Sequence, residues 1–282
     1  MREPGRRHPV LALVGSAHPG PSLAVTLITV VLGASIGLEP WRLTALGAAM
    51  LCGQASVGLS NDWLDAARDR AAGRTDKPVA AGDIGVPLVR GAAFILLALA
   101  VALTLPLGAL ATIAHAVFLV AGWGYNLGVK STALSVLPYL VGFGALPLLA
   151  TLALPAPVGA TWWAIGAGAL LGAAAHFANA LPDLEADRAT GIVGLPHRMG
   201  ERASGIVTFL ALATASGLVI VGPGMALGTA QWVAAGLIAT IVVFGVALAL
   251  TRPPGRLLFQ LVILAALIAV VSLVFAGDIT VG

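Results

Sequence analysis

Nine of the twelve acidic residues of this chain fall in two short stretches. Asp62, Asp65, Asp69, Asp76 and Asp83 form the first; Asp183, Glu185, Asp187 and Glu201 form the second. On a helix, Asp62, Asp65 and Asp69 stand at i, i+3 and i+7, and Asn61 lies four residues before Asp65, so the four share one face. The same holds for Asp183 and Asp187 at i and i+4, and His176 and Asn179 continue their stripe backward. Carboxylates set this close repel one another unless water or cations intervene. A solvated loop would suffice, but loops rarely repeat a motif with one-face spacing. Hard oxygen ligands without Cys/His clusters point to Mg²⁺, held by Asp62, Asp65, Asp69, Asp183 and Asp187. Because Mg²⁺ keeps waters and takes only one or two carboxylates, its remaining positions suit phosphate oxygens. Two such motifs facing each other would clamp a diphosphate.

Cations for that ligand lie nearby in sequence. Arg70, Arg74 and Lys77 follow the first motif, Arg188 and Arg198 follow the second, and Lys130 ends Tyr125-Asn126-Leu127-Gly128-Val129-Lys130. Lys130 is the only charge in its loop, which fits a phosphate ligand and also a topology marker at a lipid interface. Trp123 is better read as an interface aromatic. His176 is open between packing and function, and His115 has no assigned role.

The elements that must carry these residues are membrane helices. With 59% hydrophobic residues, 10% charged and a mean hydropathy of +1.00, the chain cannot hide its apolar surface inside one water-facing shell. Spanning a hydrocarbon core of about 30 Å takes roughly 20 apolar residues. Nine stretches qualify as an all-α polytopic bundle: 22 to 38, 42 to 60, 86 to 106, 109 to 125, 134 to 154, 162 to 181, 204 to 222, 229 to 250 and 256 to 276. The third and fourth are nearly continuous at Pro106 to Gly108, where one bent element is the alternative. Strands are disfavoured because the runs do not alternate and are rich in Ala, Leu and Gly. The 35 glycines suit close helix packing.

If the N-terminus is cytoplasmic, only Arg42 among the 15 Lys and Arg falls on the far side. That bias places the acidic loops on the cytoplasmic face of the cell (inner) membrane and the C-terminus outside. Each acid at mid-bilayer would cost about 2.5–3.5 kcal/mol, so five there would cost on the order of 10 kcal/mol. The acids therefore belong at helix ends. Asp65-Ala-Ala-Arg-Asp69-Arg70-Ala71-Ala72-Gly73 recurs as Asp183-Leu-Glu-Ala-Asp187-Arg188-Ala189-Thr190-Gly191. Four stretches separate the copies, as expected of a parallel duplication within one domain over residues 1–282.

Other classes are poorly supported. Cys52 is the sole cysteine, so no disulfide forms within the chain. The formal charge of +3 and pI of 9.6 come from scattered basic residues, without the clusters that bind nucleic acid. Arg2, Arg6 and Arg7 precede an apolar run too short for a signal peptide, and a retained interfacial segment is expected. A cation-coupled transporter would place acids near the midplane, where these stretches have none.

Asn61-Asp62-Trp63-Leu64-Asp65-Ala66-Ala67-Arg68-Asp69 resembles the N-D-x-x-D-x-x-x-D motif of the UbiA superfamily of intramembrane prenyltransferases, and Asp183 to Asp187 resembles its second D-x-x-x-D. Lys77-Pro78-Val79-Ala80-Ala81-Gly82 looks like its basic-Pro segment, and Tyr125 to Lys130 looks like its Y-x-x-x-K-type segment. Nine helices is also the family's count. Gln54 and the stretch from Asn179 to Gly200 look most like the branch acting on bicyclic or quinone-type aromatics. One departure is Ile192-Val193-Gly194, where many members carry Lys.

The resemblance implies Mg²⁺-dependent transfer of an isoprenoid from a prenyl diphosphate to a small aromatic or lipid-like acceptor. Asp62, Asp65, Asp69, Asp183, Asp187 and Lys130 would be catalytic. Asn61, Arg70, Arg74, Lys77, Tyr125, Asn126, Asn179, Arg188 and Arg198 would bind substrate, with Tyr139 and His176 also facing the acceptor. Membrane lipids surround such a protein. A terpene cyclase on the same scaffold, or transfer involving a lipid phosphate, are the catalytic rivals.

Overall fold

The structure, a computed structural model, describes residues 8–224, 228–251, 256–275 and 279–281. Arg2, Arg6 and Arg7 of the expected interfacial segment, and position 276 of the last expected stretch, lie outside these. The helices are α1 (Pro9–Ser16), α2 (Pro19–Ser35), α3 (Pro40–Ala71), α4 (Pro78–Ala81), α5 (Val86–Thr104), α6 (Ala109–Asn126), α7 (Leu137–Leu152), α8 (Trp162–Ala180), α9 (Leu184–Ala189), α10 (Leu195–Met199), α11 (Glu201–Val221), α12 (Thr229–Thr251) and α13 (Arg256–Phe275). Each expected apolar stretch falls on a helix. Among the described residues, six helices are long and apolar enough to cross a membrane, and α1 with α2, bent by 57°, would make a seventh; α7 is shorter. Among the described residues there is no strand, only an isolated bridge between Ala160 and Thr280.

Local chemistry explains the ends. Proline occupies the first turn of α1, α2, α3 and α4, where its missing N–H costs nothing. The third and fourth stretches are separate helices, because Pro106 sits in a 3-10 turn over Leu105–Leu107 and Gly108 takes φ 116°. The first motif is wholly helical, since α3 runs on past the expected end at 60 to Ala71.

The two copies of D-x-x-x-D-R-A-x-G end their helices in the same way. Gly73 and Gly191 adopt φ 68° and 84°, the left-handed region open to glycine. In the first copy Arg74 N–H donates to Asp69 O and Gly73 N–H to Arg70 O. In the second, Ile192 N–H donates to Asp187 O and Gly191 N–H to Arg188 O. The repeat is thus, in part, a helix stop. Helix pairing also recurs: α3 packs on α5 and α6 on α7, as α8 packs on α11 and α12 on α13.

The second motif departs from expectation. Pro182 interrupts the helix, so Leu181–Asp183 is a 3-10 turn and Asp183 precedes α9 at φ −109° rather than continuing α8. Asp183 and Asp187 are therefore not on one continuous α-helical face.

Far from the motifs, Leu46, Met50, Phe118, Leu146, Leu149 and Trp163 belong to one apolar core. The lone basic residue there, Arg42, donates to the Ala153 carbonyl at the end of α7 at 2.9 Å and to Leu107 O at 3.5 Å. A cation at a helix C-terminus meets otherwise unpaired carbonyls. The outward faces are apolar, with Leu27, Ile95, Ile113, Val120, Val243 and Phe244 exposed. Such a surface needs lipid as its solvent, and the protein is an integral membrane protein.

Candidate active site

A cavity of about 400 Å³ opens between α3, α6, α7 and α8. Along α3 its wall runs from Asp69 through Asp65, Asn61 and Gly58 to Gln54, about 22 Å of helix. Along α6 it runs from Asn126 and Tyr125 to Gly122 and Phe118, and along α8 from Asp183 through Asn179 to His176. The walls thus begin with charged or polar groups at the motif end, and deeper in those of α6 and α8 turn apolar or aromatic while that of α3 keeps Gln54. Pro138, Tyr139, Gly142 and Phe143 of α7 complete it. Both motifs lie at one end of the bundle, as expected.

At the motif end each acid of the first motif is held by a cation. Lys130 Nζ lies 2.5 Å from both Asp65 carboxylate oxygens, and Arg68 Nη2 lies 2.7 Å from Asp65 Oδ2. Lys77 Nζ is 2.8 Å from Asp69 Oδ2 and 3.6 Å from Asp62 Oδ1, and it donates to Asn61 Oδ1 at 3.3 Å. Asn61 in turn donates to Asp65 and to Asn126 Oδ1, while Asn126 donates to Ser60 Oγ and Val57 O. Lys130 is only 7% exposed; burial pushes its ammonium down from its ordinary value, while Asp65 opposes the shift.

Asp62 sits behind the wall, 1% exposed, with Oδ1 3.2 Å from His18 Nε2 and with Oδ2 making no hydrogen bond among the described residues. His18 reaches it because the α1–α2 link crosses α3 at Gly58. A Cβ there would stand 2.5 Å from the Ala17 carbonyl oxygen, so only glycine lets the link lie one turn from Asp62.

On the opposite wall, Asp183 is exposed and Asp187 lies 3.4 Å from His197 Nε2. Burial, with Asp183 alongside, holds Asp187 above the usual carboxylate range, and burial pushes His197 down. The loop after this motif touches Lys130 through Gly194, where a Cβ would meet the Lys130 carbonyl oxygen at 2.6 Å and Ser135 Oγ at 2.8 Å. The departure at Ile192-Val193-Gly194 therefore has a steric role. Gly194→Ala is expected to cost about 1–3 kcal/mol of stability by overpacking. Thermal unfolding in detergent checks this, and an unchanged midpoint would refute it.

Three expected phosphate ligands are not on the cavity wall. Arg70 is exposed and reaches Val79 O at 3.5 Å, Arg188 bonds the His197 carbonyl, and Arg198 bonds Val193 O at 3.3 Å. Arg70 and Arg188 each follow a motif Asp by one residue, which turns them about 100° away around the helix. Arg74 lines the cavity but is held by Asp76 at 2.8 and 2.9 Å, and this bond brings Asp76 down to about 2. The remaining expected binders, Asn61, Lys77, Tyr125, Asn126 and Asn179, line the cavity. Sequence reasoning missed Arg68, whose i+3 spacing from Asp65 was a usable signal, and His18, whose partner is distant, and it gave no site role to His197, the basic residue that meets Asp187.

The donor set suits a hard cation that arrives with its own oxygen ligands. Among the described residues no three His, Cys, Asp or Glu converge as a ready-made metal site. Four carboxylates nevertheless reach one cavity, and Asp62 Oδ2 is a buried acceptor without a partner. Mg²⁺ needs only one or two protein carboxylates when phosphate supplies the rest.

Comparison with known proteins agrees with this arrangement. The profile of the UbiA prenyltransferase family matches residues 22–261. No curated protein gives a match. A UbiA homolog from Archaeoglobus fulgidus, solved with GPP and Mg²⁺, superposes with a TM-score of 0.72 at 14% identity, covering 94% of this chain and 99% of that chain. An apo UbiA homolog from Aeropyrum pernix gives 0.71 at 17% identity, covering 95% and 98%. A digeranylgeranylglyceryl phosphate synthase gives 0.69 at 16%, with the same coverage. At these identities the structures speak to the fold, and the profile to the lineage. A helical membrane bundle with two Asp motifs on one cavity, matched by this profile over most of its length, belongs to the UbiA prenyltransferase family.

Proposed function

We propose that the protein transfers an isoprenoid from a prenyl diphosphate to an aromatic, quinone-precursor-like acceptor, with Mg²⁺ and release of diphosphate. The observation that carries this reading is the polarity of the cavity: four carboxylates with Lys77, Lys130 and Arg68 at one end, and Phe118, Tyr125, Tyr139 and Phe143 further in. A diphosphate belongs at the first end and an isoprenoid and ring at the second.

Asp65, Asp69, Asp183 and Asp187 would hold Mg²⁺, with Asp62 Oδ2 behind them as the spare acceptor. Bound there, Mg²⁺ would act as a Lewis acid on the phosphoryl oxygens. Lys130, Lys77 and Arg68, already against these carboxylates, are placed to turn toward phosphate oxygens. As the allylic C–O bond breaks and diphosphate leaves with the electron pair, these cations offset the charge gathering on the bridging oxygen. The carbon gains carbocation character in an aromatic-lined space, is attacked by the acceptor ring, and the ring then loses a proton. We further propose that all nine long helices cross the cell membrane, with both Asp motifs cytoplasmic and the C-terminus outside. The single far-side cation, Arg42, supports this.

Purified protein given Mg²⁺, prenyl diphosphates of several lengths and a panel of arenes should yield a prenylated ring by mass spectrometry, and excess EDTA should abolish it. Cyclic hydrocarbon or terpene alcohol from prenyl diphosphate alone would instead establish a cyclase.

A further inference from the structure

Deep in the cavity wall, His176 of α8 is 2% exposed and is ringed by Tyr139 at 4.9 Å and Tyr125 at 5.8 Å between centroids. Tyr125 meets Tyr139 edge-on at 5.2 Å, and Phe143 stacks on Tyr139 at 6.1 Å. All four side chains line the cavity, so a flat ring entering it meets His176 among aromatic faces and edges. Among the described residues, the hydrogen bond and ring contacts of this histidine are with Ser135, Tyr125, Tyr139 and Phe177, not with the residues proposed to hold Mg²⁺.

The hydrogen bonds of Ser135 assign the proton of His176 to one ring nitrogen. Ser135 is fully buried; its Oγ accepts the Leu195 N–H at 2.8 Å and lies 3.0 Å from His176 Nε2. A serine hydroxyl must still place its own proton, and among its bonds in the described structure His176 Nε2 is the only available acceptor. Ser135 Oγ–H therefore donates to Nε2, and the ring proton of the neutral histidine sits on Nδ1. Nδ1 is buried and has no hydrogen-bond partner among the described residues. A buried donor in a cavity wall costs free energy until a ligand or water offers it an oxygen.

We propose that His176 is the acceptor-recognition residue: its Nδ1–H donates to an oxygen carried on the ring of the acceptor. This rests on the aromatic-acceptor reading above. Its consequence is selectivity, since a site with a committed buried donor disfavours the analogue that lacks the oxygen.

The test uses the full-length enzyme with Mg²⁺, a prenyl diphosphate, and paired arenes that differ only in the ring oxygen. His176→Phe should raise the acceptor KM about tenfold, as expected for one lost hydrogen bond, with the prenyl diphosphate KM within about twofold of wild type. It should also erase the preference between the paired arenes. Asparagine places an amide N–H near the Nδ1 position and glutamine near Nε2. His176→Asn should restore the preference, and His176→Gln should not. Rescue by Gln but not Asn would show that His176 merely anchors Ser135, and an unchanged preference in His176→Phe would overturn the proposal alone. Should the Phe variant not fold, the Asn/Gln comparison decides. Absence of any prenylated arene from the wild-type enzyme would overturn the aromatic reading, and this inference with it.

Discussion

Asp65→Ala is expected to lower prenyl diphosphate turnover by about 10²–10³-fold, in line with removing one preorganised charge-stabilising group. It should also destabilise the protein. Lys130 is 7% exposed and Asp65 is its ion-pair partner at 2.5 Å, so the substitution strands a buried ammonium. Breaking a buried pair on one side costs about 3–5 kcal/mol. Lys130→Ala should be milder in stability, because Arg68 still holds Asp65 at 2.7 Å. The double variant Asp65→Leu/Lys130→Met, which removes both charges, should recover most of the stability and none of the activity. Turnover assays beside thermal unfolding in detergent separate the two effects. Activity near wild type in Asp65→Ala would remove the first motif from the site.

Asp183→Ala should give a loss of turnover of similar size, about 10²-fold or more, with stability within about 0.5 kcal/mol of wild type. The reason is its different setting. Asp183 is exposed on the cavity wall and takes part in none of the ion pairs that bind the first motif. Its carboxylate stabilises little in the empty protein and is free for the ligand. The pair of variants thus contrasts an acid proposed to serve both fold and chemistry with one proposed to serve chemistry alone. Wild-type rates in Asp183→Ala would show that the second motif does not touch the diphosphate.

Much of the site was legible because helical spacing is local. Asp62, Asp65 and Asp69 share a face of α3 as their i, i+3, i+7 pattern requires, although Asp62 lies behind the cavity wall rather than on it. The same logic failed at Asp183 and Asp187, because Pro182 between α8 and α9 breaks the helix that the spacing assumed. It failed also for Arg70 and Arg188, chosen for nearness in sequence although one residue's step around a helix turns a side chain away. The repeated nine residues, read as a sign of duplication, encode the same helix stop twice. Shared capping chemistry and shared descent predict the same letters there.

From composition and periodicity alone follow the lipid solvent, the run of apolar helices and the gathering of acids at helix ends, because transfer free energy and helical repeat act on each segment separately. Which cation holds which acid is decided only when helices meet. Lys130 meets Asp65 across 65 residues, and Gly194 lets the loop after the second motif lie on the Lys130 backbone. His18 finds Asp62 across 44 residues because Gly58 admits the Ala17 carbonyl. The two Asp motifs announce a diphosphate chemistry in sequence, whereas the cavity that orders it depends on close approaches at two glycines, a distance that no local pattern carries.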